Sequence, residues 1–208
     1  MIKKGALRNK LKEATLPYHR QIEANVFAKS ILQGNAPLGM YVQWLIRFYG
    51  FYRPLEMLMI KSGLCLSGNM NLKEKFKVPL LYQDLKSLGQ TDREISGYLI
   101  CDNVPDITGI PSLLGYLYVV EGSTLGGQFI VKKLRIKYGF TGDEGCLFFN
   151  GYSDKTAGIW DEFCCFLNEY HFDEAQENAV IRSACDTFEK LSAWLNGGGI
   201  GERSSSRY

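Results

Sequence analysis

Tyr41-Val42-Gln43-Trp44-Leu45-Ile46-Arg47-Phe48-Tyr49-Gly50-Phe51-Tyr52-Arg53-Pro54-Leu55 is the stretch whose spacing decides the fold. Tyr41, Trp44, Leu45, Phe48, Phe51, Tyr52 and Leu55 recur at steps of three and four, the period of a helix and not of a strand. The pattern runs from Leu38 to about Lys61, and Pro54 predicts a bend within it. Towards the N-terminus, Gly34-Asn35-Ala36-Pro37 is a turn. Before it, Leu7, Leu11, Ala14, Ile22 and Val26 keep the helical spacing from Lys3 to about Ala28. Pro17 either kinks that run or starts a second helix, because it supplies no N–H.

Towards the C-terminus, Ser67-Gly68-Asn69 marks a break. Lys73 to Leu88 reads as a helix ended by Gly89. Thr91 and Glu94 make a capping box. Cys101 to Pro111 is loop-like. Leu113 to about Tyr138 reads as a helix broken in the middle by glycines and capped by Gly139. Gly142 to Gly158 reads as irregular. Trp160 to Tyr170 and Glu174 to Leu195 are the last helices. No stretch alternates with period two long enough to build a sheet. The expectation is an all-α single domain over residues 1–196, followed by a mobile tail, 197–208.

Bulk composition narrows the function classes. Hydrophobic residues make up 46% and charged residues 22%, as in soluble globular domains. A net charge of +2 gives no electrostatic footprint for nucleic acid. No run of 18 or more apolar residues offers a membrane span, and the charged N-terminus lacks the apolar core of a signal peptide. A cytoplasmic protein is expected. The six cysteines contain no C-x-x-C pair, and there are only two histidines, so a structural zinc site is not indicated. Cys164 and Cys165 point to different faces of a helix, and reduced thiols are expected. His171, beside Asp173 and Glu174, reads as a surface residue.

Two motifs carry chemistry. His19 and Glu23 are four apart on a predicted helix, so one imidazole nitrogen is available to a metal while the carboxylate holds the proton of the other. Glu121-Gly122-Ser123-Thr124-Leu125-Gly126-Gly127-Gln128 puts three glycines into one helix, at roughly 1 kcal/mol each relative to alanine. Close helix packing explains such a bare surface, and so does a flat ligand. The run matches neither the dinucleotide nor the phosphate-loop glycine pattern, and no strand precedes it. Lys12 lies two turns before His19, about 10 Å along the same side of a straight helix. An axial histidine facing a glycine-lined helix describes a site for haem.

At these residues the chain resembles the haem oxygenase family. Leu11-Lys12-Glu13-Ala14-Thr15 with His19 and Glu23 is similar to its proximal helix. Tyr116-Leu117-Tyr118-Val119-Val120-Glu121-Gly122-Ser123-Thr124-Leu125-Gly126-Gly127-Gln128 is similar to its distal helix. The E-G-S-x-L-G stretch is that of bacterial, biliverdin-producing members. Phe48-Tyr49-Gly50-Phe51-Tyr52-Arg53-Pro54-Leu55-Glu56 resembles the aromatic helix between them. The resemblance spans Leu7 to about Leu191. It implies haem, substrate and cofactor at once, held between the first helix and a glycine-bent distal helix.

By the same resemblance, His19 is the iron ligand and Glu23 its hydrogen-bond acceptor. Gly122 and Gly126 bring backbone over the iron, with Gly127 beside them, and the Gly126 amide hydrogen-bonds dioxygen. Tyr52 joins the distal water network, and Lys12 and Tyr116 reach the propionates. Ser123 stands where animal-type members carry an aspartate that anchors a distal water. The segment Trp160 to Leu167 lacks the basic propionate ligands of a late helix, and Lys132 or Lys133 is the substitute. Lys12 points to the α-meso carbon as the point of attack, whereas Lys132 or Lys133 favours a rotated haem.

The implied products are biliverdin, carbon monoxide and ferrous iron. The implied partners are an electron donor such as a ferredoxin or a reductase, docking on Lys132, Lys133, Arg135 and Lys137, and a bilin-accepting photoreceptor. A non-catalytic haem carrier or sensor is the alternative, supported by Ser123. A di-iron or thiamin-degrading relative is disfavoured, because the chain contains no Glu-x-x-His pair.

Overall fold

The computed structural model describes residues 6–66 and 70–197. Among them are nine α-helices, two 3-10 turns and no strand. The helices are α1 (Ala6–Glu23), α2 (Val26–Leu32), α3 (Leu38–Ser62), α4 (Val78–Ser87), α5 (Asp92–Ser96), α6 (Ile110–Tyr138), α7 (Leu147–Asn150), α8 (Thr156–Glu169) and α9 (Glu174–Asn196). The expected break at Ser67-Gly68-Asn69 and all of the expected tail after Gly197 lie outside the described residues.

Several boundaries differ from the sequence expectation. α1 continues through Pro17, so no second helix starts there, whereas α3 runs through Pro54 as expected. The first break falls instead at Asn25, whose buried side chain accepts from the amides of Phe27 at 2.8 Å and Ala28 at 3.4 Å. That cap starts α2. The expected helix from Lys73 to Leu88 is a 3-10 turn, Leu72–Lys75, followed by α4. The split is held by Glu56, whose Oε1 accepts from the amides of Lys77 at 2.5 Å and Val78 at 3.1 Å. α6 is unbroken through its glycines. The region expected to be irregular, 142–158, contains α7, a 3-10 turn Ser153–Lys155 and the start of α8. Asp84 organises it by accepting from the amides of Leu147 and Phe148, both at 2.8 Å.

Glu56 and Asp84 therefore do the same job. Each is a buried carboxylate closing a helix N-terminus, where orphan N–H groups and the helix dipole favour negative charge. Burial nevertheless wins over the backbone hydrogen bonds and pushes both carboxyls up to about 7.

The packing is centred on α6 and α9, with α1 laid along α9. α6 and α9 approach so closely at Gly115 that a Cβ there would stand 2.3 Å from the Val180 carbonyl oxygen. Ser183 Oγ donates to the Ser112 carbonyl at 2.6 Å beside it. On the other side, α3 and α7 interdigitate aromatic rings, with Trp44–Phe149 and Phe48–Phe148 centroids both 4.8 Å apart. All the described cysteines are free, with Cys164 buried and Cys165 exposed. No helix among the described residues is long and apolar enough to cross a membrane.

Candidate active site

α1, α2, α3, α6, α7 and α9 enclose a cavity of about 380 Å³, within the range of small-molecule and cofactor sites. His19, Ile22 and Glu23 contribute from α1, and Ser123, Thr124, Gly126, Gly127, Phe129 and Ile130 from α6. Tyr52, Trp44 and Phe48 enter from α3, Phe148 and Phe149 from α7, and Phe188 and Leu191 from α9. Most of the lining is apolar. The polar groups are few and separate into two sets.

One set stands on α1. His19 Nδ1 lies 3.5 Å from Glu23 Oε1, with the two side chains 50% and 63% exposed. The imidazole packs edge-on against Phe188 at 5.9 Å. Its Nε2 is thus the nitrogen left for a ligand inside the cavity. Among the described residues no group of three or more His, Cys, Asp and Glu side chains could share a metal ion. The donor set suits a metal that brings its own equatorial ligands.

The other set lies by α6. Ser123 Oγ donates to the Val120 carbonyl at 2.8 Å, and Thr124 Oγ1 to the Glu121 carbonyl at 2.6 Å. Their lone pairs remain to accept from a guest. Lys77, from the start of α4, also lines the cavity although it is 3% exposed. Its Nζ lies 3.1 Å from Glu121 Oε1 and 3.4 Å from the Tyr152 hydroxyl. Lys75 Nζ reaches the other Glu121 oxygen at 3.2 Å, and the Tyr152 hydroxyl donates to Glu121 at 2.9 Å. Burial pulls the Lys77 ammonium below the usual lysine range, against Glu121, which holds it up. Burial keeps the Tyr52 phenol protonated well beyond the ordinary tyrosine range.

The three glycines do different work. A Cβ on Gly126 would meet nothing within 4 Å, so this position faces open cavity. A Cβ on Gly127 would stand 2.2 Å from the Phe149 carbonyl oxygen, so this glycine is needed for the contact with α7. Gly122 does not line the cavity; its Cβ would rest 3.4 Å from the Trp160 ring. Tyr116 is 2% exposed and likewise outside the lining. Lys12 is exposed on α1 and does not line the cavity. Lys132 is also outside the lining, with its Nζ 6.0 Å from the ring of Phe129, a lining residue that is 68% exposed.

Sequence reasoning missed Lys77 and gave Glu121 no role. Lys77 had no mark to set it apart from Lys73 or Lys75. Glu121 did have one, as a lone acid in the apolar run Leu117 to Leu125.

The model of the family described as heme oxygenase matches residues 5–196. The chain belongs to the haem oxygenase family. Solved structures agree in fold. The haem oxygenase of Neisseria meningitidis is 23% identical with a TM-score of 0.74, over 91% of this chain and 89% of that one. The Leptospira interrogans enzyme is 17% identical with a TM-score of 0.72, over 92% and 98%. Heme oxygenase-1 of the cyanobacterium Synechocystis, solved with haem bound, is 20% identical with a TM-score of 0.72, over 91% and 90%. No curated protein matches the chain in sequence. The protein is a haem-degrading oxygenase, with haem as substrate and dioxygen as co-substrate, and its family draws electrons from a redox partner.

Proposed function

We propose that this enzyme opens haem to biliverdin, carbon monoxide and ferrous iron, with His19 as the axial ligand, Glu23 as its support and Gly126 keeping the space over the iron. One observation carries the reading: His19 and Gly126, about a hundred residues apart, line the same apolar cavity, and Gly126 faces open space within it. The residues present fit haem in size, in apolar character and in offering one free imidazole nitrogen. Bound haem supplies the iron that activates dioxygen and the ring that is cleaved.

The chain's own side chains do the rest. Glu23, whose Oε1 lies 3.5 Å from His19 Nδ1, would accept from Nδ1–H when haem binds and leave Nε2 to hold the iron. Phe48, Phe148, Phe149 and Leu191 keep water from the ring faces. Tyr52 remains a phenol and donates, while Ser123 and Thr124 accept, so a water on the α6 side has partners of both kinds. The electron donor is an acidic protein such as a ferredoxin, docking on the basic stretch that starts with Lys132 and Lys133.

The family position of Lys12 favours an unrotated haem and the α isomer, although Lys12 does not line the cavity. The contact of Lys132 with the lining residue Phe129 favours a second orientation, in which the propionates lie at Lys132 and a different meso carbon faces α6.

The test is to give the purified protein haem and a reductant in air. The Soret band should disappear and a bilin should be recovered, whose isomer is read by chromatography beside Lys12→Ala and Lys132→Ala. A Soret band that persists under these conditions would make the protein a haem carrier. Gly126→Leu should still take up haem but leave it intact.

A further inference from the structure

We propose that Lys77 Nζ donates a hydrogen bond into the cavity, to an electronegative ligand on the iron of bound haem, and that Glu121 is the residue that positions it. The proposal rests on the haem reading above and adds a charged donor that Ser123 does not supply.

A lysine that is 3% exposed is costly to keep unless it is paired. Glu121 provides the pair, but Glu121 is already served by Lys75 at 3.2 Å and by the Tyr152 hydroxyl at 2.9 Å. A second lysine is therefore more than the neutralisation of one carboxylate requires. An ammonium also has three N–H bonds. Glu121 and Tyr152 take two of those of Lys77, and Lys77 is the member of the cluster that, unlike Lys75, lines the cavity. Its main chain is fixed where the Lys77 amide donates to Glu56, so the side chain starts from a held point. Both ammonium groups lie over the Tyr152 ring, Lys75 at 5.1 Å and Lys77 at 4.9 Å, which confines them to one side of α6. The charged and titratable groups around Lys77 are then Glu121, Lys75, Glu56 and Tyr152. Two lysines thus meet one fully shared carboxylate, Glu121, beside the cavity, with Glu56 engaged by the backbone amides of Lys77 and Val78.

Fluoride is the probe, titrated at fixed pH into the ferric haem complex and followed by its visible spectrum. Lys77→Met should weaken fluoride by about tenfold, the size of one charge-assisted hydrogen bond. Haem itself, titrated by the Soret band, should bind it within about threefold of wild type. Lys77→Arg should stay near wild type for both. Glu121→Gln removes the charge that holds the Lys77 ammonium protonated and in place, and should also weaken fluoride. General damage to the pocket would weaken haem along with fluoride, so a fluoride loss at near-wild-type haem affinity, restored in Lys77→Arg, is the signature. Wild-type fluoride affinity in haem-loaded Lys77→Met overturns the proposal and leaves the haem reading intact. Absence of a Soret complex in the wild type overturns both. If Lys77→Met does not fold, Glu121→Gln decides, and fluoride binding that is unchanged there overturns the proposal.

Discussion

His19 and Glu23 stand on the α1 wall of the cavity with side chains 50% and 63% exposed, whereas Lys77 and Glu121, on the α6 side, are 3% and 1% exposed. Both are acid–base pairs that serve one site. The first is an isolated pair on one helix, in contact with solvent and easily screened. The second ties α4, α6 and the Ser153–Lys155 turn region together through Glu121, Lys75, Lys77 and Tyr152. On the proposed reading the α1 wall holds chemistry with little structural duty, while on the α6 side the same side chains do both. Mutations should separate the two functions on α1 and fail to separate them beside α6.

The sharpest break is His19→Ala. Turnover should be lost and the spectrum of the haem complex changed, with partial return on adding imidazole. The haem-free protein should unfold within about 0.5 kcal/mol of wild type, as for an exposed substitution. A wild-type spectrum in this variant would remove His19 from the iron. Glu121→Ala should do the opposite to the haem-free protein, lowering its stability by about 3–5 kcal/mol in denaturant unfolding, since it strands buried cations. A loss under about 1 kcal/mol would mean that the cluster carries no structural load.

Gly127→Ala forces a methyl group against the Phe149 carbonyl and should cost about 1–3 kcal/mol of stability before any effect on chemistry. Gly126→Ala, with nothing within 4 Å, should leave stability within about 1 kcal/mol of wild type, and thermal unfolding of the two side by side tests the division of labour. Glu23→Ala should reduce haem affinity by about tenfold, the low end for a group behind a metal ligand, because its contact is long and exposed.

The smallest effect is one of pH. Glu56 and Asp84 have folded carboxyls pushed up to about 7, above their values in the unfolded chain. The folded state therefore holds more protons between about pH 4 and 7, and stability falls as pH rises through that window. The melting temperature should be a few degrees higher at pH 5.5 than at pH 8. Asp84→Asn should flatten that slope, and an unchanged slope would place the proton elsewhere.

The helical class, the start of α5 and the end of α6 were readable from spacing and caps, because those signals are local, whereas α6 starts at Ile110, three residues before the expected Leu113. Pro17 left two readings open, and the structure keeps it inside one continuous helix, as it does Pro54, where tertiary packing overrides the lost hydrogen bond. The starts of α4 and α7 were hidden because their caps, Glu56 and Asp84, lie 22 and 63 residues away in sequence. The same holds within the site. His19 and Glu23 are one turn apart and visible as a motif, whereas Lys77 and Glu121 are separated by 44 residues and meet only in the folded chain. The glycines were legible as a group but not individually, since what distinguishes Gly126 from Gly127 is a carbonyl on α7.

The placement of α1 against α9 sets an order of events during synthesis. His19 rests on Phe188, Lys10 pairs with Glu177 at 2.6 Å, and Asn25 reaches the Asn196 side chain at 2.8 Å. α1 thus waits for α9 before it has its main packing surface. A nascent chain that has displayed α6 but not α9 has His19 in water and no wall from Phe188 and Leu191. A binding-competent cavity is accordingly expected only in chains whose α9 has been made and has docked on α1.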